Sequence, residues 1–156
     1  MDSSLNKYIL VLNFLLFSFA SSAEIVLTEQ AMIDAAKVVN QATKSKNFNK
    51  AVQFYRPDTV FFQYQNKNGE KVKISQTFEQ AKKHLKVMLK FKKVKVKTSE
   101  LLSHEAKIQG KDEGTLLTKY NRAYEYNGTK IEVTETYIRI FKIWKGELII
   151  SEEHML

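Results

Sequence analysis

The sequence predicts an α+β domain: three N-terminal helices packed on a strongly curved, mostly antiparallel sheet. Three observations predict it. Apolar residues recur at helical spacing in segments before Lys90, and from Val94 onward they alternate at period two. Two dipeptides, Asn127-Gly128 and Lys145-Gly146, fold the alternating runs into a meander. Helices followed by a run of strands place the helices on one face of the sheet.

Taken in order, Thr28 caps a helix whose stripe is Met32, Ala35, Val39 and Ala42, and Lys44 to Asn47 breaks it. A second helix carries Phe48, Ala51, Val52 and Tyr55 until Pro57 stops it. Thr59 to Tyr64 is β-branched and aromatic and reads as a strand. Asn66 to Gly69 turns the chain into a short partner strand around Val72 to Ile74. Thr77 and Gln80 have capping-box spacing and open a third helix, with Phe78, Ala81, Leu85 and Met88 as its buried stripe. Val94, Val96, Thr98, Glu100 and Leu102 then share one face of a strand. A turn at Gly110 to Gly114 leads into long strands over Leu116–Tyr126 and Ile131–Trp144, and Leu148–His154 closes the sheet.

The 156 residues are 44% hydrophobic and 27% charged, enough apolar material for one core and too much for a disordered chain. Zero Cys excludes disulfides, thiolate metal sites and a cysteine nucleophile. Residues 1–23 read as a cleaved signal peptide: Lys7, an apolar run from Tyr8 to Ala20, then Ser21-Ser22-Ala23. The run is short for a membrane span. The expectation is an exported protein, periplasmic or secreted and not a lipoprotein, with one domain over residues 24–156. His84, His104 and His154 show no ligand spacing, so no metal and no cofactor is expected.

The formal charge of +8 is concentrated, with eleven Lys against Glu70 and Glu79 between Lys67 and Lys97. Lys82, Lys86, Lys90 and Lys93 form a row on the third helix, and Lys93, Lys95 and Lys97 line one strand face. The patch suits an anionic surface, or is a solvated face. Of the 25 basic residues only Arg56, Arg122 and Arg139 are Arg, which argues against phosphate recognition and nucleic acid.

Two segments carry a resemblance. Phe54 to Phe62, FYRPDTVFF, is similar to the helix-to-strand junction of the SnoaL-like superfamily of nuclear-transport-factor-2-like domains, and Trp144 to His154, WKGELIISEEH, to its closing hairpin. Leu148 departs from it, standing where the family often has Trp. The resemblance implies a cystatin-like cone with a pocket between helices and sheet. The superfamily holds isomerases, dehydratases, cyclases, transport adaptors and kinase association domains, so fold alone does not choose the function.

If the resemblance holds, the pocket is lined by Tyr55, Gln63, Tyr120, Arg122, Tyr124, Glu152 and His154. Alternation aligns Leu148, Ile150, Glu152 and His154, and a carboxylate beside an imidazole is a candidate catalytic acid–base pair. Alternation also groups Tyr120, Arg122 and Tyr124, which either meet an acidic ligand group or pack across strands. Gln63 falls near the position where the family's steroid isomerases carry a general-base Asp, and a Gln cannot abstract a proton. The expected function is binding of a small apolar ligand or a protein partner. A lyase, isomerase or cyclase using Glu152 and His154, and an adaptor docking through the Lys patch, are the alternatives. Members often pair through the open sheet face, and the apolar residues on both faces of Ile131–Trp144 make a homodimer the expected assembly.

Overall fold

The computed structural model describes residues 25–90 and 94–156; the signal-peptide reading and Lys93 lie outside the described residues. The elements are α1 (Glu29–Lys44), α2 (Phe48–Ala51), β1 (Tyr55–Lys67), β2 (Glu70–Thr77), α3 (Phe78–Lys90), β3 (Val94–Ile108), β4 (Glu113–Tyr126), β5 (Thr129–Trp144) and β6 (Glu147–Met155). The strands form one six-stranded sheet in the order β2-β1-β6-β5-β4-β3, antiparallel except for the β1–β6 pair. Three hairpins turn on two residues that both have positive φ: Asn68-Gly69, Asn127-Gly128 and Lys145-Gly146. That is type I′ geometry, whose twist matches the flanking strands.

Local chemistry sets the helix ends. The Thr28 hydroxyl accepts from the Ala31 amide at 3.1 Å. Thr77 and Gln80 cap reciprocally: the Gln80 side chain accepts from the Thr77 amide at 2.9 Å, and the Thr77 hydroxyl accepts from the Gln80 amide at 3.3 Å. Met32, Ala35, Ala36 and Val39 of α1 bury against Leu116, Phe141 and Ile150, and Met32, Leu116, Phe141 and Ile150 are fully enclosed. Gly114 is needed where α1 crosses β4, because a Cβ there would sit 2.8 Å from the Met32 sulfur.

Three expectations change. The second helix ends at Ala51, and Tyr55 opens β1 instead of closing that helix. Pro57 sits where β1 slips register against β6, between Tyr55 and Val60, a place where a missing amide donor costs no ladder bond. In β3, slips between Val96 and Thr98 and between Leu101 and Ser103 break the expected single face, leaving Leu102 exposed. In α3 only Phe78 is buried; Met88 is 50% exposed and Val87 is also exposed.

The most consequential irregularity lies in β6. Ile140 pairs with Glu152 while the next residue, Phe141, pairs with Ile150, so Ser151 is an extra residue on the β6 side. The side chains beyond Ser151 therefore exchange faces. Thr59, which is buried, closes the gap: its hydroxyl donates to the Ile150 carbonyl at 2.7 Å and accepts from the Arg56 amide at 2.9 Å. Thr59→Val keeps the shape and leaves both backbone groups without that partner. We expect it to lower the unfolding free energy by about 1–3 kcal/mol in urea denaturation. Thr59→Ser is expected to stay near wild type, and equal losses in both variants would show that volume rather than the hydroxyl matters.

Candidate functional site

Between α1, α3 and the inward face of the sheet lies a cavity of about 470 Å³. Its walls are mostly apolar: Val39 from α1, Val52, Phe61 of β1, and Phe78, Leu85 and Met88 from α3. The α3 stripe faces this space, which is why it packs so lightly. Lys44, Lys46 and Lys82 also border the cavity.

Two ion-pair networks stand on the sheet side. In the first, Arg122 of β4 donates to Glu135 of β5 at 2.6 Å, to the Tyr137 hydroxyl at 3.2 Å, to Asn40 of α1 at 2.7 Å and to Ser99 of β3 at 3.2 Å. Glu135 also accepts from the hydroxyls of Tyr124 at 2.5 Å and Tyr137 at 2.6 Å. In the second, Arg139 of β5 donates through Nε to Glu153 of β6 at 2.5 Å, and Glu153 accepts from the Tyr55 hydroxyl at 2.7 Å. The Arg139 guanidinium lies over the Tyr137 ring, 4.8 Å from its centroid, and joins the two networks. Arg139 is 3% exposed, and its Nη1 is sealed from solvent without a hydrogen-bond partner.

These surroundings shift the titration of the groups in one sense. Burial pushes the Tyr55 and Tyr137 hydroxyls well above the ordinary tyrosine range, and the charges of Glu153 and Glu135 push the same way. Tyr124 is raised by burial and by its bond to Glu135. For Arg139 burial works against the charge, and Glu153 more than offsets it. The three hydroxyls therefore stay protonated as donors, and the two carboxylates are already accepting from arginine and tyrosine.

The structure places Tyr55, Gln63, Arg122 and Tyr124 on the cavity wall. Tyr120 is buried deeper, edge-on to Tyr137 at 6.2 Å, and is not on the wall. Glu152 and His154 differ from the expectation: the bulge at Ser151 sends them to the outer face and brings Glu153 and Met155 to the cavity. There the His154 ring stacks on Phe62 at 4.6 Å, with Nε2 3.3 Å from Glu152 and Nδ1 3.4 Å from the Tyr64 hydroxyl. The pair is in contact but has no access to the cavity.

Of the lysine patch, Lys82, Lys86 and Lys90 lie on α3, with Lys86 over the Phe48 ring, and Lys95 and Lys97 lie on β3, where Lys97 pairs with Glu125 at 2.8 Å. Lys67, Lys71 and Lys73 belong to β1 and β2, toward the opposite edge of the sheet. Strand spacing puts β2 and β3 roughly 24 Å apart along the sheet, so the charge run divides in space. Among the described residues no group of three His, Asp or Glu side chains is placed to hold a metal ion.

Glu135, Tyr137, Arg139 and Glu153 were not among the expected site residues. One signal for Arg139 was present in the sequence: an Arg between Ile138 and Ile140 in an apolar strand, in a chain that otherwise uses Lys.

Comparison with solved structures fits this architecture. The chain is similar to an NTF2-like protein of unknown function from Pseudomonas putida (TM-score 0.63, 12% identity, 81% of this chain and 84% of that one). It is similar to an NTF2-like protein of unknown function in nutrient uptake from Rhodospirillum rubrum (0.62, 13%, 80% and 95%). It also resembles the association domain of C. elegans CaMKII (0.60, 13%, 81% and 92%). No family model and no curated protein matches the sequence. At these identities the likeness defines a class by architecture: the chain has the NTF2-like, or cystatin-like, fold.

The raised tyrosines give a pH prediction. A hydroxyl whose folded pKa exceeds the unfolded value near 10 contributes fully below that pH and is lost as pH climbs above it. The urea midpoint is expected to fall between pH 9 and 11, and to fall less steeply in Tyr137→Phe. Parallel profiles for the two proteins would contradict the burial of an un-ionised Tyr137.

Proposed function

We propose that this is an exported, non-catalytic binding protein whose cavity takes a small molecule with a largely apolar body. The observation that carries the reading is the α3 stripe: Leu85 and Met88 line a 470 Å³ space yet have little protein packed over them. A helix that leaves such a stripe over open volume gains stability when an apolar ligand fills it. Binding is favoured over turnover because both cavity carboxylates are tied to arginine and tyrosine partners, so neither is poised as a base. Octanol, small enough for the cavity, is expected to raise the melting temperature of the protein in a saturable way. Leu85→Trp, which fills the space, is expected to abolish that shift while raising the melting temperature of the free protein or leaving it unchanged. An equal octanol shift in Leu85→Trp would place the binding elsewhere.

A second reading concerns assembly. The sheet face away from the helices presents Phe62, Ile138 and Ile140 beside exposed Trp144, with no described helix packed on it. We propose that a second copy pairs there by a twofold axis, a use compatible with similarity to an association domain. Native mass spectrometry of the protein exported from a bacterial host is expected to give a dimer of chains beginning at Glu24. A monomer would remove the pairing, and a chain beginning at Met1 would remove the cleavage.

A further inference from the structure

Four residues both line the cavity and stand exposed to solvent: Lys44 at the end of α1, Lys46 just beyond it, and His84 and Met88 on α3. They mark its mouth. Beside that mouth α3 turns another side outward. Lys83, Lys86, Val87 and Lys90 recur at intervals of three and four, so they share one side of the helix, and all four are exposed. The helix carries four lysines against a single acidic residue, Glu79, which is already paired with Lys82 at 3.1 Å. Lys86 lies over the Phe48 ring, whereas Lys44, Lys83 and Lys90 make no ion pair among the described residues. Val87 and Met88, 51% and 50% exposed, stand among these ammonium groups with no protein over their outer sides.

We propose that α3 docks on a bilayer rich in anionic phospholipid, with Lys83, Lys86 and Lys90 among the headgroups and Val87 and Met88 in the interface, so that the cavity mouth faces lipid. Both kinds of side chain ask for that partner. Unpaired ammonium groups on one side of a helix are complementary to a negative surface, and the charge on α3 is nearly all of one sign. Apolar side chains set between them gain by leaving water for the acyl boundary, while lysine stems lie along it and keep their heads at the phosphates. A nucleic acid fits less well, because this side of α3 has neither a guanidinium fork for phosphate nor an aromatic ring on which a base could stack. The docking stands without the cavity reading. Joined to that reading, it adds a route by which an apolar ligand passes between lipid and cavity without crossing water.

The chain has no cysteine, so a single one can be placed and labelled. Val87→Cys, carrying a polarity-sensitive nitrobenzoxadiazole fluorophore, is mixed with phosphatidylcholine vesicles containing about 40% phosphatidylglycerol. The emission is expected to rise and move to the blue, and to stay unchanged with phosphatidylcholine alone. The same label at Gln109→Cys, exposed at the far end of β3, is expected not to respond. In vesicle sedimentation of the unlabelled protein, Lys83→Gln combined with Lys90→Gln is expected to weaken binding about twentyfold, at about fivefold per lysine near the surface. Added salt is expected to weaken the wild type as well. Leu85→Trp, which fills the cavity, is expected to sediment like the wild type, so loss of the octanol shift with vesicle binding intact removes the cavity reading alone. If octanol binds but the vesicles neither move the Val87 label nor sediment the protein, the docking is overturned and the cavity survives. Binding that persists undiminished in the double variant belongs to another part of the chain and overturns the assignment to α3. Binding to dextran sulfate without binding to vesicles would make the partner a dissolved polyanion and overturn the bilayer.

Discussion

A guanidinium placed inside a protein needs a carboxylate within reach, and the bulge in β6 decides which carboxylate Arg139 receives. Without the extra residue at Ser151, strict alternation from Ile150 would turn Glu152 and His154 inward and Glu153 outward. Arg139 would then stand opposite Glu152 instead of Glu153, and His154 would take the place of Met155 opposite Tyr137. With the bulge, Glu153 reaches Arg139 at 2.5 Å and Tyr55 closes the pair from β1. One unpaired residue in one strand thus decides the chemistry of the whole cavity wall.

The consequence extends to the strands on either side. β1 must follow β6 through its own slip between Tyr55 and Val60, which is where Pro57 can sit and where Thr59 bridges to the Ile150 carbonyl. Tyr55 enters the network because α2 ends at Ala51, four residues before the end that a helical stripe reaching Tyr55 would require, and Tyr55 opens β1. The same slip turns Phe61 and Gln63 toward the cavity, while Phe62 and Tyr64 face outward with His154. Two irregularities in neighbouring strands are one structural decision, and each needs the other to keep the backbone bonded.

The layout of this molecule was legible from periodicity and turn chemistry, because those signals are local. Thr28, the Thr77–Gln80 pair and the three type I′ turns can be read from a few neighbouring residues, and they mark the bounds of α1, α3 and the hairpins. A face, by contrast, is a running count along a strand, and one unseen extra residue inverts everything beyond it. That is why Arg122 and Tyr124, on the regular strand β4, fell on the cavity wall while Glu152 and His154, two and four residues beyond Ile150, did not. Ser151 carries no local mark of a bulge, since nothing about a serine between Ile150 and Glu152 sets it apart from a strand residue. The ends of the lysine run, Lys71 and Lys73 on β2 and Lys95 and Lys97 on β3, part for a related reason. Proximity in sequence became separation in space once β2 and β3 took opposite edges of the sheet.

What distinguishes the cavity is the contrast between its two supports. The sheet side is rigid: its polar groups are interlocked across β1, β3, β4, β5 and β6 and reach α1 through Asn40, so moving one member breaks bonds to several others. The α3 side is held by Phe78 and by contacts with β1 and β2, and then runs over open space with Val87 and Met88 half exposed. Low packing density is the condition under which a segment opens locally at small cost. In the proposed binding role, a ligand would be admitted by α3 giving way while the sheet keeps the polar groups in place. The orientation of the bound molecule would be set by the wall that does not move, and its size by the helix that can.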